Sequence, residues 1–529
     1  MAISTQELID RGFSTNRGAT DMLLVFPPMT VAERYGKKTT GDSGGDLPPL
    51  GIMYIAAYLR QHGYGVGFLD GCALNTSIDK IVSVIKEREP KSVGISATTF
   101  SFYKAIELAQ KIKEHCPNTL LILGGAHATA TPLHPMENYD CFDLLVYGEG
   151  EVTALEILDT LKKHNYNNKS LLNDVGSLQA IDGLVYRSNG KVFKTSARSM
   201  IEDLDNLPLP ARDLIPHERY IPLPNQYRQL PLAHMMVIRG CPFTCTFCDE
   251  AGTKVRASSP EHVVEEIKEM SKLYGIKEIS FWDDTMTYHR KWMMEFCQRM
   301  VEAKLEIVWS CFAAANTVDP EILDMMKKAG CWNIFYGFES PDLDLLKNID
   351  AARKNKNPDY MKQVVKWTQE AGIEVRASFL IAIPGETPEK AKEMIRFAKE
   401  MEPNYAQFSI TTPLPGTILY DEIKQGKWGR LTTEDYSKYH MWNVVFLPKG
   451  YKNKEEVFKM EKYAFRSFYL RPKYIFKKAL SIRSIEDIRR HWKGLQFLLG
   501  FLEFPLFRKL LKLFSEQAPK TRNPVVSAK

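Results

Sequence analysis

The chain has 529 residues, too many for one ordinary hydrophobic core, so two large domains and a smaller one are expected. An apolar fraction of 44% fits a packed, water-soluble protein; no apolar run approaches a membrane span, nothing in the first thirty residues reads as a cleavable leader, and a cytosolic protein is expected. The formal charge of +6 is uneven: residues 471–529 carry 14 Lys or Arg against Glu486, Asp487, Glu503 and Glu516, so the rest sums to −4, which argues against a nucleic-acid-binding body and for a basic tail.

After an N-terminal segment (1–20), short runs rich in Val, Ile and Leu alternate with helical patterns from residue 21. The runs are Met22 to Phe26, Gly67 to Leu69, Ser92 to Ser96, Leu120 to Leu123 and Leu144 to Val146, with helices such as Gly51 to His62 and Tyr103 to His115 between them. Continuous apolar runs of this length suit strands buried on both faces, and the alternation predicts an α/β, doubly wound, Rossmann-like domain over 21–200. Two strand-like runs around Ser188, Asn189 and Gly190 predict a hairpin near its end. Six prolines between Pro208 and Pro231 exclude a long helix or central strand, so 201–232 is a linker.

A second alternating series starts at His234. Strands are expected over Met235 to Ile238, Glu278 to Trp282, Glu306 to Trp309, Trp332 to Gly337, Glu374 to Ile383 and Tyr405 to Thr411, each separated from the next by a helical pattern. Six strand-helix units predict a partial (β/α)6 barrel over 233–425, with its reactive centre at the C-terminal ends of the strands.

Of nine cysteines, three fall within eight residues: Cys241, Cys245 and Cys248 follow the first barrel strand, while the other six are scattered. An odd number in so long a chain is not a secreted disulfide framework. The Cys-x3-Cys-x2-Cys spacing lets one loop hold three corners of a 4Fe-4S cube, and with no fourth cysteine nearby one iron stays open for the amino and carboxylate groups of S-adenosylmethionine. A zinc site completed by a distant histidine is the alternative, although zinc loops prefer paired Cys-x2-Cys units.

Here residues 233 to 425 resemble the radical S-adenosylmethionine superfamily. The resemblance places Phe247 against the adenine and assigns Asp283 and Asp284, in Phe281-Trp282-Asp283-Asp284-Thr285, to the substrate amino group, an ammonium that needs acceptors away from water. A helix cap or polar strand end is the plainer reading of those carboxylates. Glu339, in Tyr336-Gly337-Phe338-Glu339-Ser340, matches a fourth-strand motif, and Ile381-Ala382-Ile383-Pro384-Gly385-Glu386-Thr387 a fifth-strand one. Arg376 and Ser378 are candidate contacts to carboxylate or ribose. Two departures stand out: Ala313, Ala314 and Ala315 lie where relatives often carry an arginine, and Pro341 replaces the usual glycine.

In the upstream domain, Leu50 and Gly51 open a helix, Ser96 and Thr98 end the third strand, Gly124, Gly125, His127 and Thr129 the fourth, and Gly148, Glu149 and Gly150 the fifth. Taken alone they suit a nucleotide or a structural role equally well. Followed by the barrel, they resemble the cobalamin-binding class of radical enzymes, which implies a corrin over these strand ends. Asp-x-His-x-x-Gly is absent, so no lower-face histidine is expected, and His127 is read as a hydrogen-bonded loop residue rather than an axial ligand.

Residues 426–529 are expected to form a basic, mainly helical region. The stretches Leu495 to Leu502 and Arg508 to Phe514 are either a cap on the barrel or an amphipathic segment resting on an anionic membrane surface, which would suit a lipid-like substrate. The resemblance implies radical methylation of an unactivated carbon, with an electron donor such as flavodoxin or ferredoxin. Its rivals are an oxidative cyclase of the anaerobic magnesium-protoporphyrin monomethyl ester type and a non-catalytic cluster-and-corrin redox sensor.

Overall fold

A computed structural model describes residues 4–13, 20–30, 33, 45–440, 442–482 and 484–502. The first sheet has seven strands: β1 (Met22–Phe26), β2 (Val66–Asp70), β3 (Ser92–Ser96), β4 (Leu120–Gly124), β5 (Leu144–Val146), β6 (Leu184–Ser188) and β7 (Lys191–Lys194). Their spatial order is β2-β1-β3-β4-β5-β6-β7, the first five parallel and the last two antiparallel. Strands β1 and β2 are buried almost throughout because helices cover both faces, and a separate apolar core lies on each. The β6–β7 hairpin turns on Asn189 (φ 49°) and Gly190 (φ 72°), a left-handed pair that matches the twist of the flanking strands. It extends the sheet, a placement the sequence pattern left open.

The barrel has six parallel strands in sequence order: β8 (Leu232–Met235), β11 (Glu278–Phe281), β12 (Val308–Ala313), β13 (Cys331–Glu339), β14 (Glu374–Ile381) and β15 (Tyr405–Ile410). Four of its helices open the same way, with a capping side chain followed by proline: Ser259-Pro260, Asp319-Pro320, Asn357-Pro358 and Thr387-Pro388. Each cap accepts an otherwise orphaned backbone N–H, worth about 1 kcal/mol, and proline at the first helical position gives up no intrahelical bond.

Two expected strands move. The first ends at Met235 rather than Ile238, because Asp283 accepts hydrogen bonds from the Val237 and Ile238 amides (2.6 and 2.5 Å) and draws them out of the ladder. Ile238–Arg239 (β9) instead pairs antiparallel with Arg256–Ala257 (β10), making a hairpin that carries the cysteine loop. The third strand begins at Val308 and runs on to Ala313.

The two sheets meet at their C-terminal ends. Tyr54, on the helix after β1, donates to the Met236 carbonyl at 3.2 Å. A Cβ at Gly416, beyond β15, would lie 2.5 Å from the Ala130 carbonyl oxygen, beyond β4. The connector fastens both bodies: Tyr220 donates to Asp70 at 2.9 Å, and buried Arg212 pairs with Glu266 at 3.0 Å. A small antiparallel pair, β16 (Gly429–Leu431) and β17 (Phe446–Pro448), precedes helices Lys454–Tyr469, Pro472–Leu480 and Ile485–Phe501. No described helix is long and apolar enough to cross a membrane.

Candidate functional site

Cys241, Cys245 and Cys248 all line one cavity of about 160 Å3 at the barrel mouth, whose other walls include Phe243, Phe247, Phe312, Phe335, Asp284 and Lys354. The loop is held by its backbone: Cys241 donates its amide to Thr253 Oγ1 (2.9 Å), Thr246 to the Ile349 carbonyl (3.0 Å) and Gly252 to the Phe243 carbonyl (2.8 Å). Gly240 (φ 92°) permits the tight entry, since a Cβ there would sit 2.3 Å from the Lys254 carbonyl oxygen. Burial pushes the Cys248 thiol up to about 12 and raises Cys245, against which the Lys354 charge works. Binding iron therefore releases protons. Among the described residues no three Cys, His, Asp or Glu side chains form a group suited to one metal ion. Three thiols on one loop lining one cavity suit three corners of a 4Fe-4S cube.

Asp283 and Asp284 part company. Asp283 is 1% exposed and spends one oxygen on the Val237 and Ile238 amides, so it positions the loop, while its other oxygen is buried without a partner. Asp284 faces the cavity, and its carboxyl is pushed up to about 6 by burial and by the charges of Glu250 and Asp249. An arriving ammonium would relieve that repulsion. Phe247 lies in the cavity wall with the Lys354 ammonium 5.8 Å from its ring centre. Glu339 (φ 62°) does not stand free: its carboxylate pairs with Lys354 at 2.7 Å, both side chains almost buried. Arg376 is buried, donates from Nε to Asn333 Oδ1 (2.6 Å) and stacks over Phe335 at 5.0 Å, below the cavity wall; Ser378, two residues on along β14, is also buried. Glu386, in the fifth-strand motif, is fully buried, accepting from the Ala382 amide and Tyr451, which makes it a turn-holding residue.

On the other side, the strand ends of the first sheet present a shelf of backbone. Gly51, Thr98, Gly125, Thr129 and Gly148 are exposed, Leu50, Ser96 and Gly124 half-buried, and a Cβ at Gly51 or Gly148 would meet nothing within 4 Å. Gly125 (φ 93°) is obligatory, since its Cβ would press to 2.6 Å from Ser96 Oγ. The residues present fit a broad, flat ligand approaching this backbone. Three of the candidates are engaged within the protein, His127 as the hydrogen-bonded residue expected of it. His127 is fully buried, stacked 4.1 Å from Phe102, with its ring nitrogens at Thr99 and Thr131 hydroxyls, and burial lowers it to about 3. Gly150 is buried against Ile55. Glu149 bridges the domains: one oxygen takes Arg239 (3.0 Å) and Arg256 (2.8 Å), the other the Ile201 amide. Arg239 also pairs with Glu151 at 2.7 Å.

Lys354, Arg239 and Arg256 carry no role in the sequence reading. Arg239 stands two residues before Cys241 and was the one with a visible signal; Lys354 hides in the run Arg353-Lys354-Asn355-Lys356, which reads as a solvated loop.

A parallel sheet whose glycine-rich strand ends meet a six-stranded barrel bearing three clustered cysteines defines the class of corrin-carrying radical enzymes. Two family models agree: the B12 binding domain over residues 36–158 and the Radical SAM superfamily over 235–398. An uncharacterised methyltransferase of Pyrococcus horikoshii is 35% identical over 459 residues, 86% of this chain and 94% of that one. The anaerobic magnesium-protoporphyrin IX monomethyl ester cyclase of Rubrivivax gelatinosus is 28% identical over 410 residues, covering 76% of this chain and 70% of its own. The solved structure of the radical S-adenosylmethionine methyltransferase TsrM from Kitasatospora setae, with cobalamin and a 4Fe-4S cluster bound, shares the fold at a TM-score of 0.66 and 16% identity, over 92% of this chain and 99% of that one. The chain belongs to the cobalamin-dependent radical S-adenosylmethionine methyltransferase family. It is an enzyme, and its cofactors are those of the family: a 4Fe-4S cluster, S-adenosylmethionine and cobalamin.

Proposed function

We propose that the enzyme methylates an unactivated carbon of a hydrophobic or lipid-like small molecule, held between the cysteine loop and the shelf of the first sheet. When bound, the cluster supplies the electron that cleaves S-adenosylmethionine to a hydrogen-abstracting radical, and the corrin supplies the methyl group. The observation that carries the reading is the cavity itself, in which three thiols share a wall with Phe243, Phe247, Phe312 and Phe335. Those rings exclude water from a reactive radical and give an apolar substrate its contact area.

Within that reading Cys241, Cys245 and Cys248 hold the cluster. Asp284 accepts the ammonium of S-adenosylmethionine, Phe247 meets its adenine, and the Lys354–Glu339 pair faces its carboxylate end; Arg376 and Ser378 lie deeper. Leu50, Gly51, Ser96, Thr98, Gly124, Gly125, Thr129 and Gly148 offer backbone and hydroxyl contacts to the corrin. The working parts are 21–200 for the corrin and 233–425 for the radical, joined by 201–232 and followed by 426–529; a flavodoxin or ferredoxin supplies electrons.

Ring formation is the second reading, favoured by the 28% identity to the magnesium-protoporphyrin cyclase. Anaerobic turnover of candidate substrates with a low-potential reductant separates the two. Methyl transfer produces 5′-deoxyadenosine together with S-adenosylhomocysteine, and 5′-deoxyadenosine alone, with an unmethylated product, overturns it.

A further inference from the structure

We propose that the face formed by helix Pro472–Leu480 and the first half of helix Ile485–Phe501 docks onto an anionic lipid bilayer. The stretch Leu495 to Leu502, an amphipathic candidate from the sequence, largely turns inward: Leu498, Phe501 and Leu502 pack against the barrel core and Phe497 lies 6.4 Å from Trp442. Arg508 to Phe514 lies outside the described residues. The exposed apolar surface lies upstream of both.

Of the 18 large apolar side chains exposed among the described residues, seven fall between residues 475 and 495. Phe476 is 67% exposed, Leu480 69%, Ile475 and Ile488 53%, and Trp492 51%. Helix Pro472–Leu480 buries none of its residues. Its outward apolar face is nonetheless fixed in place, because the opposite face is tied down: Tyr474 donates to the Asn404 carbonyl (3.0 Å), Lys478 sits 3.6 Å above the Tyr405 ring, and Arg471 donates to the Lys399 carbonyl (2.9 Å). The second helix is anchored by Arg490, which donates to the Tyr227 carbonyl at 2.7 Å. A nine-residue helix that leaves Ile475, Phe476 and Leu480 in water is marginal unless another surface covers them.

Charge selects the occupant. Lys477 and Arg489 are exposed on the same two helices, alongside Lys473, which pairs with Glu402, and a single exposed acid, Glu486; residues 471–529 carry a surplus of ten positive charges. A second copy of the chain docked face to face would bring two basic patches together. The chain's own segment 503–529, with six Lys or Arg against Glu503 and Glu516, repels the face in the same way. An anionic bilayer takes both components: apolar side chains enter the acyl boundary, Trp492 sits at headgroup level, and the cations meet lipid phosphates. The surface stands independently of the substrate reading, although it places the enzyme where a lipid-like substrate concentrates.

Sedimentation of the full-length protein with vesicles of phosphatidylcholine mixed with phosphatidylglycerol, against vesicles of phosphatidylcholine alone, tests it without any turnover. Binding is expected to the anionic vesicles, weakened by high salt and reduced roughly tenfold by Phe476→Glu with Leu480→Glu, while the thermal transition stays in place because both side chains are exposed. Absence of binding, as an occupied face would give, or binding that survives the double substitution, overturns the proposal. So does a dimer in sedimentation equilibrium that the same substitutions dissociate, which would assign the face to a second copy.

Discussion

Replacing Glu149 with Gln tests whether the loop after β5 clamps the cysteine loop to the first sheet. Glu149 is 18% exposed and lies between Arg239 and Arg256, whose side chains are 12% and 6% exposed. Burial opposes its charge, but the Ile201 amide and the two guanidinium groups prevail and hold its carboxyl below the usual range. Gln keeps an acceptor for the amide and removes the charge. Arg239 retains Glu151, whereas Arg256 is left with the Ile201 carbonyl, and its Nε already lacks a partner. Breaking a buried pair from one side costs about 3–5 kcal/mol, and the surviving amide bond places this change near 3. At 2–4 °C per kcal/mol for a domain of this size, the calorimetric transition should fall by roughly 6–12 °C. Because β9 ends two residues before Cys241, iron should also leave the variant faster under chelator. A double-mutant cycle with Arg256→Met isolates the pair, and a coupling energy above about 1 kcal/mol is expected. An unmoved transition with zero coupling would refute the clamp.

Cys245→Ala should abolish the visible absorbance of the reconstituted cluster and all cleavage of S-adenosylmethionine; unchanged iron content would reject the triad. Lys354→Met removes the cation beside Cys245 and Phe247, so the cluster's midpoint potential should fall by on the order of tens of millivolts, and a potential that stays put would show that the Glu339 pair is only structural. Asp283 is pushed up to about 7, chiefly by burial, from 3.8 in the unfolded chain. A folded pKa above the unfolded one means that the native state holds the extra proton, so stability is fullest at acid pH and is lost as pH rises from about 4 to 7, by roughly 4 kcal/mol at most. Asp283→Asn should erase that slope in denaturant titrations at pH 4.5 and 7.5, and parallel curves for the two proteins would contradict it.

The parts of the fold legible in the sequence were those written in local chemistry. Buried parallel strands such as β1 and β2 announce themselves as unbroken apolar runs, and the four cap-and-proline pairs mark helix starts directly. The cysteine triad stands out in the sequence because its three thiols share one loop. What escaped depends on pairings across long stretches of chain. Asp283 carries the same letters as its neighbour Asp284, yet one faces inward to two amides and the other faces the cavity, a distinction set by where β8 ends 48 residues earlier. Lys354 gains its meaning only when the short helix Ala352–Asn355, after β13, sets it against Glu339 and near the Phe247 ring. The most consequential omission was the charge cluster. Glu149 sits in a glycine-rich segment of which Gly148 is exposed and Gly150 buried, and its carboxylate turns to the barrel. The segment after β5 therefore ties the first sheet to the hairpin that carries the cysteine loop, through Glu149 to Arg239 and Arg256 and through Glu151 to Arg239.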